Sequence, residues 1–367
     1  MNNKLCLIFN QASHYREAIY CAIDKEYNCD WYFSNSTDGI KQMDLSLLKN
    51  TYHFNTYNFH NALYWEKGII KLLFKKEYQV FLKLGESRSL TGYIFNWMAQ
   101  IMGKKVYLWT HGWYGKEKGI NAFLKLQLFK HATGIFTYSD YAKKLLVEKG
   151  IPVNKIFPIH NSLNYDKQKE LRQSIGLSNI YKEHYGNNYP VIIIIGRLNV
   201  RKKLQLLLEA VALLKGRGEN YNIIFIGEGE DKSNLEEISR NLKLENNVWF
   251  FGACYDEKEN AKLIINSDLC VVPGDIGLTA IHVMTFGVPV ITHNTFMYQG
   301  PEFETIKEGI TGTFFKRDDV NDLANKISIW FNQKLNSREE VRLACYEEID
   351  NYWNPYFQMN VIKSVLC

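Results

Sequence analysis

The sequence predicts an α/β protein made of two domains, each a parallel sheet covered by helices, and three observations carry that expectation. At 367 residues the chain is too long for one ordinary core, and two domains of roughly 150–200 residues are expected. Short apolar runs alternate with helical patterns in two successive series, which is the signature of parallel sheets joined by crossover helices. Two of the runs also end on residues able to do chemistry, His111-Gly112 and Gly196-Arg197. Ligands of such sheets bind beyond the carboxyl ends of the strands.

In the first series, residues 5–9 form an apolar strand and residues 16–25 have helical spacing. A strand over 80–84 is followed by a polar turn at 85–89 and a helix over 93–102. Residues 105–109 form a strand that runs into Thr110-His111-Gly112. The strand at 134–137 leads to Ser139-Asp140, an N-cap for a helix over 141–149. Residues 156–159 close the series at His160-Asn161-Ser162. Residues 167–188 are rich in charges and amides and read as a linker. In the second series strands are expected at 191–195, 221–226, 248–251, 269–272 and 290–292. Helices are expected at 204–215, 231–242, 279–286 and 320–333. The boundaries that follow are 1–165 and 166–344, with a last segment, 345–367, expected to return to the first domain.

Composition narrows the function. Hydrophobic residues make up 46% and charged residues 23%, so the chain is globular rather than disordered. A net charge of +5 suits anionic ligands or an anionic membrane surface but falls short of a nucleic-acid footprint, so no nucleic-acid partner is expected. Seven cysteines, an odd number, form no C-x-x-C pair, and reduced thiols in a cytoplasmic protein are the expectation. No run reaches the ~18 apolar residues of a membrane span, and residues 1–10 lack the apolar core of a signal peptide. No D-x-D or other metal-ligand spacing stands out, so no metal is expected.

The chemistry concentrates in residues 191–315. The run V-I-I-I-I-G-R-L-N-V-R-K-K places Gly196, Arg197 and Lys202 at the end of a buried strand. An Arg fork and a Lys point charge together can hold a diphosphate. In isolation, R-x-x-x-x-K is more often a solvated loop. Further on, P-G-D-I-G-L-T-A-I-H-V-M-T-F-G-V-P-V-I-T reads as a strand, a turn at Gly277-Leu278-Thr279 and a helix whose first N–H groups favour an anion. Thr279 is also a plain N-cap candidate.

These motifs, with V-Y-L-W-T-H-G-W, G-I-F-T-Y-S-D-Y-A-K-K-L-L and I-I-F-I-G-E-G-E-D-K, resemble in order and spacing a family 4 glycosyltransferase of the GT-B fold. That fold is two Rossmann-like domains facing across a cleft. The resemblance covers nearly the whole chain and is weak over residues 28–75. It implies a retaining, metal-independent enzyme of polysaccharide assembly, with no cofactor beyond a UDP- or GDP-linked sugar donor. Arg197 and Lys202 would grip the donor diphosphate, and cations there stabilise the departing charge most in the transition state. His111 would sit beside the donor sugar. Glu304, with Glu302 nearby, matches an acidic position of the donor site.

Two departures stand out. Family members often carry two glutamates eight positions apart, and this chain has Gly274 and His282 there. Asp275 is expected to supply the carboxylate from a shifted backbone and His282 to bind ribose hydroxyls. The first loop, with Ser13, His14, Tyr15 and Arg16 in place of glycines, resembles a subset acting on lipid-linked acceptors, and those four are the expected acceptor side. For Arg16 a simple solubilising role at the first helix stands equally. Residues 65–83, with Lys67, Lys71, Lys75 and Lys76, and residues 116–130 have basic, near-helical apolar spacing. Both fit helices packed on a sheet or peripheral contact with an anionic inner membrane surface. Two other readings remain open: a nucleotide-sugar epimerase of the same fold, and an assembly protein whose donor site has decayed.

Overall fold

The computed structural model describes residues 4–35, 41–59, 63–332 and 337–366. Cys367 and the end of the helix expected over 320–333 lie outside them. The chain divides into two compact units, one of residues 1–164 with 354–367, the other of residues 165–353.

The first unit opens with β1 (Lys4–Phe9), α1 (Glu17–Glu26), β2 (Cys29–Ser34) and β3 (Thr51–Phe54), then a hairpin of β4 (Thr56–Phe59) and β5 (Leu63–Glu66). It continues through β6 (Tyr78–Leu84), α2 (Leu90–Ile101), β7 (Lys105–Thr110), α3 (Gly119–Lys130), β8 (Gly134–Thr137), α4 (Asp140–Glu148) and β9 (Ile156–Pro158). Its seven-stranded sheet has the order β3-β2-β1-β6-β7-β8-β9, and every neighbouring pair is parallel. Apolar residues on both faces of β1 and β7 are buried, as a sheet sandwiched by helices requires. Ser89 and Ser139 cap α2 and α4 by accepting the N–H groups of Gly92 (2.9 Å) and Ala142 (3.0 Å).

The second unit opens with α5 (Tyr165–Ser174) and α6 (Ile180–Tyr185). There follow β10 (Val191–Ile195), α7 (Gln205–Gly216), β11 (Asn222–Ile226), α8 (Lys232–Asn241), β12 (Val248–Gly252), α9 (Glu257–Ile265) and β13 (Leu269–Val271). It ends with α10 (Thr279–Thr285), β14 (Val290–His293), β15 (Gly312–Phe315), α11 (Val320–Asn332) and α12 (Arg338–Tyr352). Its sheet is parallel in the order β12-β11-β10-β13-β14-β15. The last helix, α13 (Pro355–Leu366), belongs to the first unit. Met359 and Ile362 join the core behind α1, and Gln358 donates to the His160 carbonyl (3.0 Å) and accepts from Ser162 Oγ (2.6 Å).

Three expectations change. Residues 65–83 are not a basic helix but the end of β5, a short 3-10 turn at Ile69–Phe74 and β6. Gly68, at φ 84°, breaks the pattern, and Lys83 points inward to form a buried ion pair with Glu66 (2.7 Å). Residues 167–188 are not a linker. Their aromatic groups find places: Tyr181 and Tyr185 hydroxyls donate to the carbonyls of Leu263 (2.7 Å) and Ile223 (2.8 Å), and His184 stacks on Trp249. The returning segment begins at 354 rather than 345, because α12 stays with the second unit, where its Asp350 accepts both guanidinium nitrogens of Arg172.

Candidate functional site

In the second unit the chain leaves β10 through Gly196, at φ 125°, a conformation open to glycine and costly to other residues. Arg197 follows, exposed, while Leu198 is buried and its N–H is held by the Glu228 carbonyl (2.9 Å). A short 3-10 turn, Val200–Lys202, then carries Lys202 back over the strand end. Its ammonium donates to Thr279 Oγ1 (3.3 Å), whose hydroxyl donates to the Ile195 carbonyl (3.0 Å). Thr279 is therefore not an N-cap. It ties the first turn of α10 to the end of β10. Burial pushes the Lys202 pKa below the usual lysine value, although Asp275 and Glu302 lie near enough to oppose that shift. Among the described residues neither Arg197 nor Lys202 has a carboxylate at ion-pair distance; the nearby ion pairs are those of Arg201 and Lys203, with Asp275 and Asp318.

Gly274 accounts for its own departure. Its N–H donates to the Lys202 carbonyl (2.8 Å), and a Cβ placed there would stand 2.0 Å from the Arg201 carbonyl oxygen. Only glycine lets the loop after β13 lie against the Lys202 turn, so a glutamate has no room in this backbone. Asp275 supplies a carboxylate one residue on, but both of its oxygens are engaged, by Arg201 NH2 (3.1 Å) and the Gly300 N–H (2.8 Å). Gly277, at φ 52°, makes the turn into Leu278 and α10. The Ile276 N–H is held by Gln299 Oε1 (3.0 Å), and Gln299 in turn donates to Thr292 Oγ1 (2.8 Å). Since α10 is only two turns long, its dipole adds little beside the two cations.

His282 sits on α10 with Nε2 against Glu257 Oε1 (2.9 Å), which also accepts from Gln168 (2.8 Å). Burial opposes ionisation of Glu257, but His282, Gln168 and Lys167 together outweigh it and the carboxyl is held below its usual range. Glu302 is buried, its carboxylate folded against Gly300, and Glu304 is half-buried in the same turn. Arg201, Gln299 and Glu257 were not singled out from the sequence. Gln299 follows a tyrosine in an ordinary polar loop, and nothing in its spacing marks it.

The first unit brings two of the remaining candidates, His111 and Arg16, to Tyr138. His111, exposed after β7, lies 4.8 Å from the Tyr138 ring, and the Arg16 guanidinium lies 5.7 Å from the same ring. Arg16 also faces Tyr15 (5.7 Å) and donates to Tyr20 Oη (3.2 Å), while its buried Nε has no partner. Arg16 pairs with no carboxylate among the described residues. Ser13 is buried, and His14 is exposed with Nδ1 at the Lys41 carbonyl (3.1 Å). Gly112 serves packing: at φ 68°, its Cβ position lies 3.0 Å from Ala142. Among the described residues no group of three or more His, Cys, Asp or Glu could hold a metal ion. None of the described helices is long and apolar enough to cross a membrane.

Residues 179–347, nearly all of the second unit, match the family described as glycosyl transferases group 1. A 41.2 kDa protein of the cps region of Klebsiella pneumoniae is 24% identical over 249 residues, which are 66% of this chain and 64% of that protein. The other curated relatives are matched over 30–40% of their own length, so the chain spans less than two thirds of each. The lipopolysaccharide outer core galactosyltransferase WaaB is 14% identical with a TM-score of 0.74 over 99% of both chains. Anabaena HepE, solved in complex with UDP, is 16% identical with a TM-score of 0.74 over 99% of both chains. At these identities the likeness establishes the fold, GT-B with two Rossmann-like units.

Proposed function

We propose, on the match of residues 179–347 to the glycosyl transferases group 1, that this protein is a retaining, metal-independent glycosyltransferase. It moves a hexose-type sugar from a UDP- or GDP-linked donor to a glycan, carried on a lipid, in surface polysaccharide assembly. The observation that carries this reading is Lys202, an ammonium drawn into the end of β10 with no carboxylate at ion-pair distance among the described residues. A partly buried cation without a counter-charge is costly, and a bound diphosphate supplies that charge. Arg197, exposed after the same strand, adds a fork for two more oxygens.

In the proposed step the bond from the anomeric carbon to the diphosphate oxygen breaks, and its electron pair stays on that oxygen, where Arg197 and Lys202 stabilise it. The acceptor hydroxyl bonds to the anomeric carbon on the same face, and its proton passes to the departing diphosphate. Gly196, Gly277, Leu278 and Thr279 shape the backbone around the phosphates. Asp275, His282 and Glu304 are the donor's other contacts, and His111 hydrogen-bonds the sugar. Ser13, His14, Tyr15 and Arg16 serve the acceptor. Arg16, without a carboxylate among the described residues and ringed by tyrosines, suits the phosphate of a lipid carrier.

One observation favours a second reading, an assembly protein whose donor site has decayed. The Asp275 carboxylate and His282 Nε2 are already engaged by Arg201, Gly300 and Glu257. Incubating the full chain with labelled UDP- and GDP-hexoses and a lipid-linked glycan extract separates the two. The proposal requires labelled glycan whose anomeric configuration matches the donor. Absence of both transfer and nucleotide binding favours the assembly protein, and inversion would refute the front-face step.

A further inference from the structure

Helix α2, Leu90–Ile101, contains no charged residue, and a helix with no charged face is normally enclosed. This one is enclosed on one side only. Phe95 and Ala99 enter the core, while Ile94, Trp97 and Ile101, spaced three and four apart, form an outward stripe 40%, 55% and 67% exposed. Helix α3 lies alongside: Asn96 Nδ2 donates to the Leu128 carbonyl (3.2 Å), and Gln100 meets His131 (2.9 Å). Its first two turns expose Ile120, Phe123 and Leu124. On the other flank runs the 3-10 turn Ile69–Phe74. It is joined near the start of α2 by the Glu66 N–H donating to Thr91 Oγ1 (2.7 Å) and near its end by Lys104 Nζ donating to the Lys75 carbonyl (2.8 Å). Phe74 is exposed there.

Charge on the segments that frame this apolar face is mostly positive, with exposed Glu77 and half-buried Glu86 just beyond their ends. Across residues 67–76 and 90–131 the only acidic residue is Glu117, and it is half-buried and paired with Lys125 (2.6 Å). Lys71, Lys118 and Lys130 are exposed. We propose that the outer faces of α2 and α3 seat this protein on an anionic lipid surface. The apolar stripe enters the acyl boundary and the lysines meet the headgroups. A second copy is a poorer occupant, because a two-fold contact would set this basic rim against itself. The proposal deepens the lipid-linked acceptor reading and rests on it for its purpose, since a membrane-bound acceptor is reached from the membrane surface.

The test is flotation of the full chain with vesicles of phosphatidylcholine alone, or of phosphatidylcholine mixed with phosphatidylglycerol. Trp97→Glu is compared with Leu213→Glu, the same change at an exposed apolar residue of α7, and UDP and GDP binding serves as the check on folding. The wild type is expected to float with the anionic vesicles. Trp97→Glu should lose about tenfold or more of that partition, and Leu213→Glu should lose none. Absence of flotation by the wild type, or flotation indifferent to Trp97→Glu, overturns the proposal. So does a dimer in sedimentation that Trp97→Glu dissociates. Vesicle binding without nucleotide binding upholds this surface while sinking the donor reading. Nucleotide binding without vesicle binding does the reverse.

Discussion

Replacing Gly274 offers a test in which simple resemblance and the structure give opposite answers. Resemblance says that Gly274→Glu restores a missing donor carboxylate and should improve donor use. In the structure a Cβ at 274 meets the Arg201 carbonyl oxygen at 2.0 Å and the Lys202 carbonyl carbon at 2.7 Å. An unstrained C···O contact is about 3.3 Å, so the two segments must part by roughly 1.3 Å. Overpacking of that kind costs about 1–3 kcal/mol, and losing the hydrogen bond from the Gly274 N–H to the Lys202 carbonyl adds about 1 kcal/mol. For a unit of this size about 3 kcal/mol lowers Tm by roughly 6–12 °C. Lys202 moves with its backbone, and a shift of about 1 Å in a positioned group costs on the order of 10²-fold in turnover. Gly274→Ala and Gly274→Glu should therefore both lower Tm and weaken UDP or GDP binding by calorimetry. Gly216→Ala, whose Cβ position is open, should do neither. A Gly274→Ala protein with wild-type Tm and affinity would refute the reasoning.

Other perturbations follow from buried charge and titration. Glu66→Ala strands the Lys83 ammonium, which is 1% exposed, and should cost about 3–5 kcal/mol in denaturant unfolding; a loss below about 1 kcal/mol would mean that Lys83 finds another partner. Burial, with help from Arg317, pushes the pKa of His293 down to about 4, and its neutral Nδ1 accepts the Thr295 N–H (3.1 Å). Above the ordinary imidazole value of about 6.5 both folded and unfolded states are neutral. As the pH falls from there to 4 the unfolded chain takes a proton that the folded one refuses, so about 3 kcal/mol of stability disappears. His293→Gln should flatten that part of the stability–pH curve. The pKa of Lys202 is lowered by burial, and a bound diphosphate favours its charged form. Nucleotide binding should therefore take up protons at pH values below the ordinary lysine value, and calorimetry in buffers of different ionisation enthalpy reads this directly.

Much of the fold was legible because both sheets are parallel and buried on both faces. The run of four isoleucines after Val191 and the apolar stretch at 105–109 announce themselves without tertiary context. Legibility failed where packing overrides local pattern. Lysines at helical spacing disguised the end of β5 and the 3-10 turn after it, and nothing local showed that Lys83 of the expected strand turns inward to Glu66, whose carboxylate the Ser89 hydroxyl also holds. Residues 167–188 looked too polar for a packed helix, yet Tyr181 and Tyr185 supply enough apolar surface and two well-placed hydroxyls. At the proposed donor site the sequence shows Arg197, Lys202 and the Gly277 turn but hides why Gly274 is a glycine, because that reason is the backbone of Arg201 and Lys202, more than 70 residues away. It also presents Asp275 and His282 as open donors and acceptors, and only the coordinates pair them with Arg201, Gly300 and Glu257.

The central claim, that the second unit holds a nucleoside diphosphate between Arg197 and Lys202, is tested most directly by calorimetric titration of UDP and GDP into the full chain and into Arg197→Ala. The account predicts saturable binding of one nucleotide by the wild type and its loss, by at least tenfold, in the variant. Binding of neither nucleotide, or binding that Arg197→Ala leaves unchanged, would contradict it.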